Sequence, residues 1–163
     1  MSKLNCVSTS EQLTYNGEVF PSIVVFDSPP NYNAETWVQS HKHAIERSLQ
    51  LSGAVLFRGF PVTSAEDFDA FSAAFGYPDF TYAESLSNAV RISFTKRVFT
   101  ANEAPPDVEI FLHHEMAQTP VSPSRLFFYC HAAAEAGGAT PLCRSDQLFQ
   151  KLIREKPEGA AEF

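Results

Sequence analysis

The chain has 163 residues, 44% hydrophobic and 19% charged, which is enough for one domain with a buried core and too apolar for wholesale disorder. Its formal charge of −7, with no basic cluster, argues against nucleic-acid binding through phosphate neutralisation. No apolar run approaches the ~18 residues of a membrane-spanning helix, so no membrane partner is expected.

Residues 1–18 are polar and read as a loose lead-in, and Met-Ser-Lys-Leu-Asn-Cys lacks the apolar stretch of a secretory signal. Val19 to Phe26 reads as a strand closed by Ser28-Pro29-Pro30. Asn33 is placed to cap a helix over 34–51, ended by Gly53, with Trp37, His41, Ala44, Ile45 and Leu49 as its inner stripe. Ala54 to Phe57 is a short apolar run that predicts a buried strand. Ser64-x-x-Asp67 has the capping-box pattern, with aspartate where glutamate is usual. It opens a helix with Phe68, Phe71 and Phe75 on one face and Gly76 at its end.

Residues 77–90 carry no clear period. Val90 to Thr100 alternates as a strand or hairpin would, Pro105-Pro106 breaks the chain, and Glu109 to Glu115 reads as extended. Leu126 to His131 gives the clearest strand pattern, followed by a Gly137-Gly138 turn. Ser145 is a candidate cap for a last helix, ended by Pro157, with Leu148, Phe149, Leu152 and Ile153 inward. Early helices and later strands predict a single α+β or mainly β domain over 1–163, not a regular βαβ repeat. Gly159 to Phe163 do not read as a closing element, so the expectation is a domain truncated at its C-terminal side.

The chemistry concentrates in Phe111-Leu-His-His-Glu-Met116. On extended chain, side chains alternate, so His113 and Glu115 share a face and His114 takes the other. Their Cα atoms would lie roughly 7 Å apart, close enough for both side chains to meet one metal ion. One imidazole and one carboxylate, completed by a second histidine, form the facial triad of iron(II) oxygenases. The plain alternative is a solvated loop with two histidines, and the H-x-E spacing alone favours that alternative.

Other candidates read more simply. His41 and His43 lie two apart on a helix and diverge, His41 toward packing and His43 toward solvent. Asn102 can face a pocket and bind substrate, or serve a turn. Arg91 and Arg97 can steer an anionic substrate, although sheet arginines are usually in surface ion pairs. Three cysteines (Cys6, Cys130, Cys143) without C-x-x-C spacing argue against a disulfide framework or thiolate zinc site, and suit a reducing compartment. Cys130 beside His131 reads as a packing residue, because neighbours on a strand face opposite ways. No G-x-S-x-G elbow supports serine hydrolysis.

Several ordered blocks set the pair in a context: Ser52-Gly-Ala-Val-Leu-Phe-Arg-Gly-Phe-Pro61, Phe68-x-x-Phe71, Arg97-Val-Phe-Thr-Ala-Asn-Glu-Ala-Pro-Pro106, His113-His-Glu-Met-Ala-Gln118, Leu126-Phe-Phe-Tyr-Cys130 and Gly137-Gly-Ala-Thr-Pro141. From about residue 19 to about 155 the chain resembles the TauD/TfdA-like dioxygenases, above all plant clavaminate synthase-like proteins. The resemblance implies a double-stranded β-helix, or jelly roll, flanked by helices. It implies Fe(II) held by His113 and Glu115, with Thr140 contacting the co-substrate 2-oxoglutarate, and O2 as the second co-substrate. The family's distal histidine and its 2-oxoglutarate-binding arginine fall beyond Phe163. His131 is a conceivable substitute ligand, off the family's position.

The expected function is thus an Fe(II)- and 2-oxoglutarate-dependent oxygenase, acting on C–H bonds of a small acid or amino-acid-like metabolite. The competing expectation is a non-catalytic, truncated relative that serves as a binding or interaction module. A small-molecule substrate, a cytoplasmic address and self-association through uncovered apolar faces complete the expectations.

Overall fold

The computed structural model describes residues 3–29, 32–80, 90–105 and 107–161. It is a small mixed α/β structure whose order is β1 (Cys6–Val7), β2 (Leu13–Tyr15), β3 (Glu18–Phe20), β4 (Ser22–Val25), α1 (Ala34–Ser52), β5 (Val55–Arg58), α2 (Ala65–Ala73), α3 (Ser145–Glu155) and α4 (Pro157–Ala160). A three-stranded sheet runs β1-β4-β5, antiparallel across the first pair and parallel across the second, with Ile23 opposite Leu56. The parallel pair needs a crossover, and α1 provides it.

Residues 1–18 are not the loose lead-in their polarity suggests. Cys6–Val7 pairs with β4, and Leu13–Tyr15 pairs with β3 in a hairpin. Asn16-Gly17 makes that hairpin, with φ of 52° and 85°, because a two-residue turn between right-twisted strands requires left-handed backbone at both positions. The expected strand over 19–26 is divided into β3 and β4 at Pro21, which has no N–H for a ladder. Pro30, Pro106 and most of the aperiodic stretch 77–90 lie outside the described residues.

The signals for α1 and for the start of α2 hold, while α2 ends at Ala73 with Ala74 as its cap, two residues before Gly76. Asn33 Oδ1 accepts from the backbone N–H of Glu35 at 2.7 Å and of Thr36 at 3.2 Å, and Gly53 ends α1 with φ 84°. Ser64 and Asp67 form the reciprocal capping box on α2. The core joins Val24 to Trp37, Val38 and Ile45 of α1 and to Phe71 and Phe75 beside them. Phe57 and Phe60 are edge-on to Phe71, with centroids 5.2 and 5.6 Å away. Burying these rings is the main driving force of the fold, at about 25 cal/mol per Å² of apolar surface.

Four expectations about the later chain are corrected. Leu126 to His131 forms no strand, although Phe127 and Tyr129 are half-buried while Leu126, Phe128 and Cys130 are exposed. The two-residue alternation is present, but a ladder needs a second strand, and no described residue supplies one. Cys130 is exposed rather than packed. On α3, Arg144 occupies the cap position instead of Ser145, whose hydroxyl lies 2.7 Å from His114 Nε2. The α3 stripe expected to face inward is largely open, with Leu148, Phe149 and Ile153 exposed by 59, 46 and 41%.

Candidate functional site

The site is built on irregular chain tied to the α/β core by side chains. Residues 90–103 form a narrow hairpin-like loop, with a single antiparallel bridge between Ser93 and Phe99. Thr95 shapes its tip: its hydroxyl accepts from the N–H groups of Arg97 and Val98 at 3.2 and 3.0 Å. The Thr95 hydroxyl also donates to Asp69 on α2, and Arg97 Nε pairs with the same carboxylate at 3.3 Å. Further along, Tyr129 stacks on Phe68 of α2, with centroids 5.2 Å apart, and its hydroxyl donates to the Val62 carbonyl at 3.3 Å.

Between these pieces is a cavity of about 650 Å³. Phe68, Phe94, Phe99 and Tyr129 give it aromatic walls, and Arg91, Arg97 and Glu115 supply charge. Burial pushes the Tyr77 phenol at its edge above the ordinary tyrosine range, and the bond from its hydroxyl to Glu46 adds to that shift.

Residues 113–115 are not in a strand; a turn begins at Glu115, and Met116 is buried with φ 60°. The predicted alternation nevertheless holds. His114 reaches away to Ser145, while His113 Nε2 comes to 3.9 Å from Glu115 Oε2. His113 Nδ1 lies 2.7 Å from the Phe111 carbonyl. A carbonyl only accepts, so Nδ1 carries a proton, and in the neutral imidazole Nε2, the nitrogen nearer the carboxylate, is the one available to a metal. An imidazole oriented by a backbone carbonyl beside a carboxylate oxygen is a donor set that suits a divalent metal ion. Glu115 Oε1 is held by Arg91 Nη2 at 2.9 Å. No group of three or more His, Cys, Asp and Glu side chains able to hold a metal occurs among the described residues.

The other candidates are more dispersed. His131 lines the same cavity as Glu115, and its ring lies 6.1 Å from Tyr129 and 6.4 Å from Phe94. Thr140 is exposed just beyond Gly137 and Gly138, whose φ are 70° and 69°, and Asn102 is exposed next to the cavity-lining Ala101. Arg91 and Arg97 are both in ion pairs, Arg91 with Glu115 and Arg97 with Asp69 and Asp79. His41 stacks on Trp37 with ring centroids 4.1 Å apart, and His43 is exposed, as their spacing implied.

Sequence reasoning gives Arg91 as a steering charge or an ion-pair member but not its partner, because no local pattern links it to a glutamate 24 positions away. It misses Arg144. Arg144 carries no motif, yet its Nη1 donates to the carbonyls of Leu51 and Ser52 while Nε and Nη2 grip Asp146. That grip holds the Asp146 carboxyl far below the usual range.

The sequence model described as "Taurine catabolism dioxygenase TauD, TfdA family" matches residues 20–162. A clavaminate synthase-like protein of Arabidopsis thaliana is 39% identical over 170 aligned positions, covering 97% of this chain and 50% of that protein. The dapdiamide synthesis protein DdaC of Enterobacter agglomerans is 34% identical over 121 positions, covering 74% of this chain and 35% of its own length. The chain thus spans about half the length, or less, of these curated relatives. No helix among the described residues is long and apolar enough to cross a membrane.

Proposed function

The chain belongs to the TauD/TfdA family of dioxygenases, and from that premise we propose that it carries two metal ligands of an Fe(II)- and 2-oxoglutarate-dependent oxygenase site. The observation that carries the reading is the facing of His113 Nε2 and Glu115 Oε2 at 3.9 Å, with the imidazole tautomer set by the Phe111 carbonyl. His113 and Glu115 would hold the iron, which supplies activation of O2 for C–H oxidation when 2-oxoglutarate is present. Thr140 would contact the 2-oxoglutarate, and the jelly-roll architecture of the resemblance belongs to this same reading.

The chain's own residues then have distinct tasks. The aromatic walls exclude water and accept the body of a small molecule, and the volume of about 650 Å³ lies in the ~300–1,000 Å³ range of small-ligand sites. A small acid or amino-acid-like metabolite is the substrate class proposed, with Asn102 available at the rim beside Ala101.

The test is anaerobic addition of Fe(II) and 2-oxoglutarate. The expected result is a charge-transfer absorption that disappears in His113→Ala. Its absence from the parent chain, or its persistence in His113→Ala, would sink the claim that this chain forms the site.

A second reading, a non-catalytic binding or interaction module, is favoured by one observation. Helix α3 presents Leu148, Phe149 and Ile153 to solvent instead of packing them. The absorption experiment separates the two readings, because a module has no need of a metal at His113.

A further inference from the structure

Resting on the metal reading above, we infer that Arg91 is a positioning residue that presents one oxygen of Glu115 to the metal. Among the described residues the two carboxylate oxygens meet different neighbours: Oε1 takes Arg91 Nη2 at 2.9 Å, and Oε2 is the oxygen 3.9 Å from His113 Nε2. A glutamate has three rotatable side-chain bonds, and fixing one oxygen on a guanidinium restricts where the other can point. With Oε1 on the arginine, Oε2 is the oxygen that faces His113 and the one this positioning offers to the metal.

Burial and backbone both support the assignment. The Arg91 and Glu115 side chains are each 16% exposed, against 57% for His113, so the ion pair is shielded while the imidazole is open. Arg91 itself is anchored. Its neighbour Ile92 exchanges bonds with Thr100, the Ile92 N–H donating to Thr100 Oγ1 at 3.0 Å and the Thr100 N–H to the Ile92 carbonyl at 2.9 Å. The Glu103 N–H donates to the Val90 carbonyl at 3.0 Å on the other side. Arg91 thus extends from a pinned point of the hairpin-like loop across 24 residues to the H-x-E segment.

A guanidinium has two effects of opposite sign on a metal ion nearby. Its charge repels the cation, whereas its hydrogen bond orders the ligand. Outer partners of metal ligands usually improve affinity about 10- to 100-fold, so ordering should dominate.

The experiment is titration of the metal-free chain with Co(II), read by its visible absorption, for the parent, His113→Ala, Arg91→Met, Arg91→Gln and Arg91→Lys. Arg91→Met is expected to weaken Co(II) binding about 10- to 100-fold. Arg91→Gln and Arg91→Lys, which each keep a donor for Oε1, are expected to recover most of that loss. Thermal midpoints of the metal-free variants identify any that fail to fold, and the Gln and Lys variants then carry the test. Unchanged or tighter binding in Arg91→Met overturns the positioning role, and so does failure of both donor-keeping variants to bind better than Arg91→Met. If His113→Ala binds Co(II) as the parent does, the metal reading itself falls and takes this inference with it. If only the Arg91 series is flat, the metal reading stands without it.

Discussion

Replacing Arg144 with methionine removes a charge from the end of α1 while keeping much of the side-chain bulk. In the structure Arg144 Nη1 donates to Leu51 O at 3.1 Å and to Ser52 O at 2.8 Å, the carbonyls left open where the helix stops. Leu51 is half exposed, and water can replace its bond; Ser52 is 3% exposed, so its carbonyl loses a partner that water reaches poorly. One stranded buried acceptor costs about 1–3 kcal/mol. For a chain of this size that lowers the melting midpoint by about 2–4 °C per kcal/mol. The assay is thermal unfolding followed by circular dichroism, with amide exchange across α3 as a second readout. Arg144 is the bracket between the start of α3 and the end of α1, so exchange in Ser145–Glu155 should accelerate along with the drop in midpoint. A midpoint within about 1 °C of the parent and unchanged α3 exchange would refute the reasoning, since it predicts both.

Three more outcomes follow. Trp37 is 1% exposed and its Nε1 has no hydrogen-bond partner among the described residues, so Trp37→Phe should cost less than about 1.5 kcal/mol and Trp37→Ala about 3–5 kcal/mol; equal losses in denaturant titrations would show that the indole N–H is engaged after all. Hydrogen bonds from Thr63 and Ser64 hold the Asp67 carboxyl below the ordinary range, and the Arg144 grip does the same to Asp146. Depressed carboxylates stabilise the fold above their unfolded pKa of about 4 and lose that contribution as pH falls through the folded value. Acid unfolding should therefore begin below about pH 4 and be shallower in Asp67→Asn; an unchanged acid limb in that variant would remove the capping box from the account. The open stripe on α3 should make the chain bind an apolar dye and elute with concentration-dependent size. Leu148→Glu with Phe149→Glu should suppress both, and a stable monomer without dye binding in the parent would count against an exposed apolar face.

The parts of the fold legible in the sequence are those fixed by local chemistry. Asn33, Gly53, Ser64 and Asp67 act within one or two turns of where they sit, and the structure uses each as its type predicts. Asn16-Gly17 was equally local, but the polarity of its surroundings hid the hairpin. Leu126–His131 shows the opposite case, because alternation states which side chains face the core and says nothing of whether a partner strand is present. The site divides in the same way. The relation of His113, His114 and Glu115 follows from backbone geometry alone. The Arg91–Glu115 and Arg144–Ser52 contacts join residues 24 and 92 positions apart, and no short-range pattern encodes such a distance.

The double hold on Asp69 means that the two members of the H-x-E pair depend on different parts of the molecule. Glu115 borrows its steadiness from helix α2, through Asp69, the Thr95–Arg97 tip, the loop behind it and finally Arg91. His113 is oriented by its own backbone, at the Phe111 carbonyl. Damage in α2 would therefore reach the carboxylate before the imidazole, so that the pair would wear unevenly, with the carboxylate the first to drift.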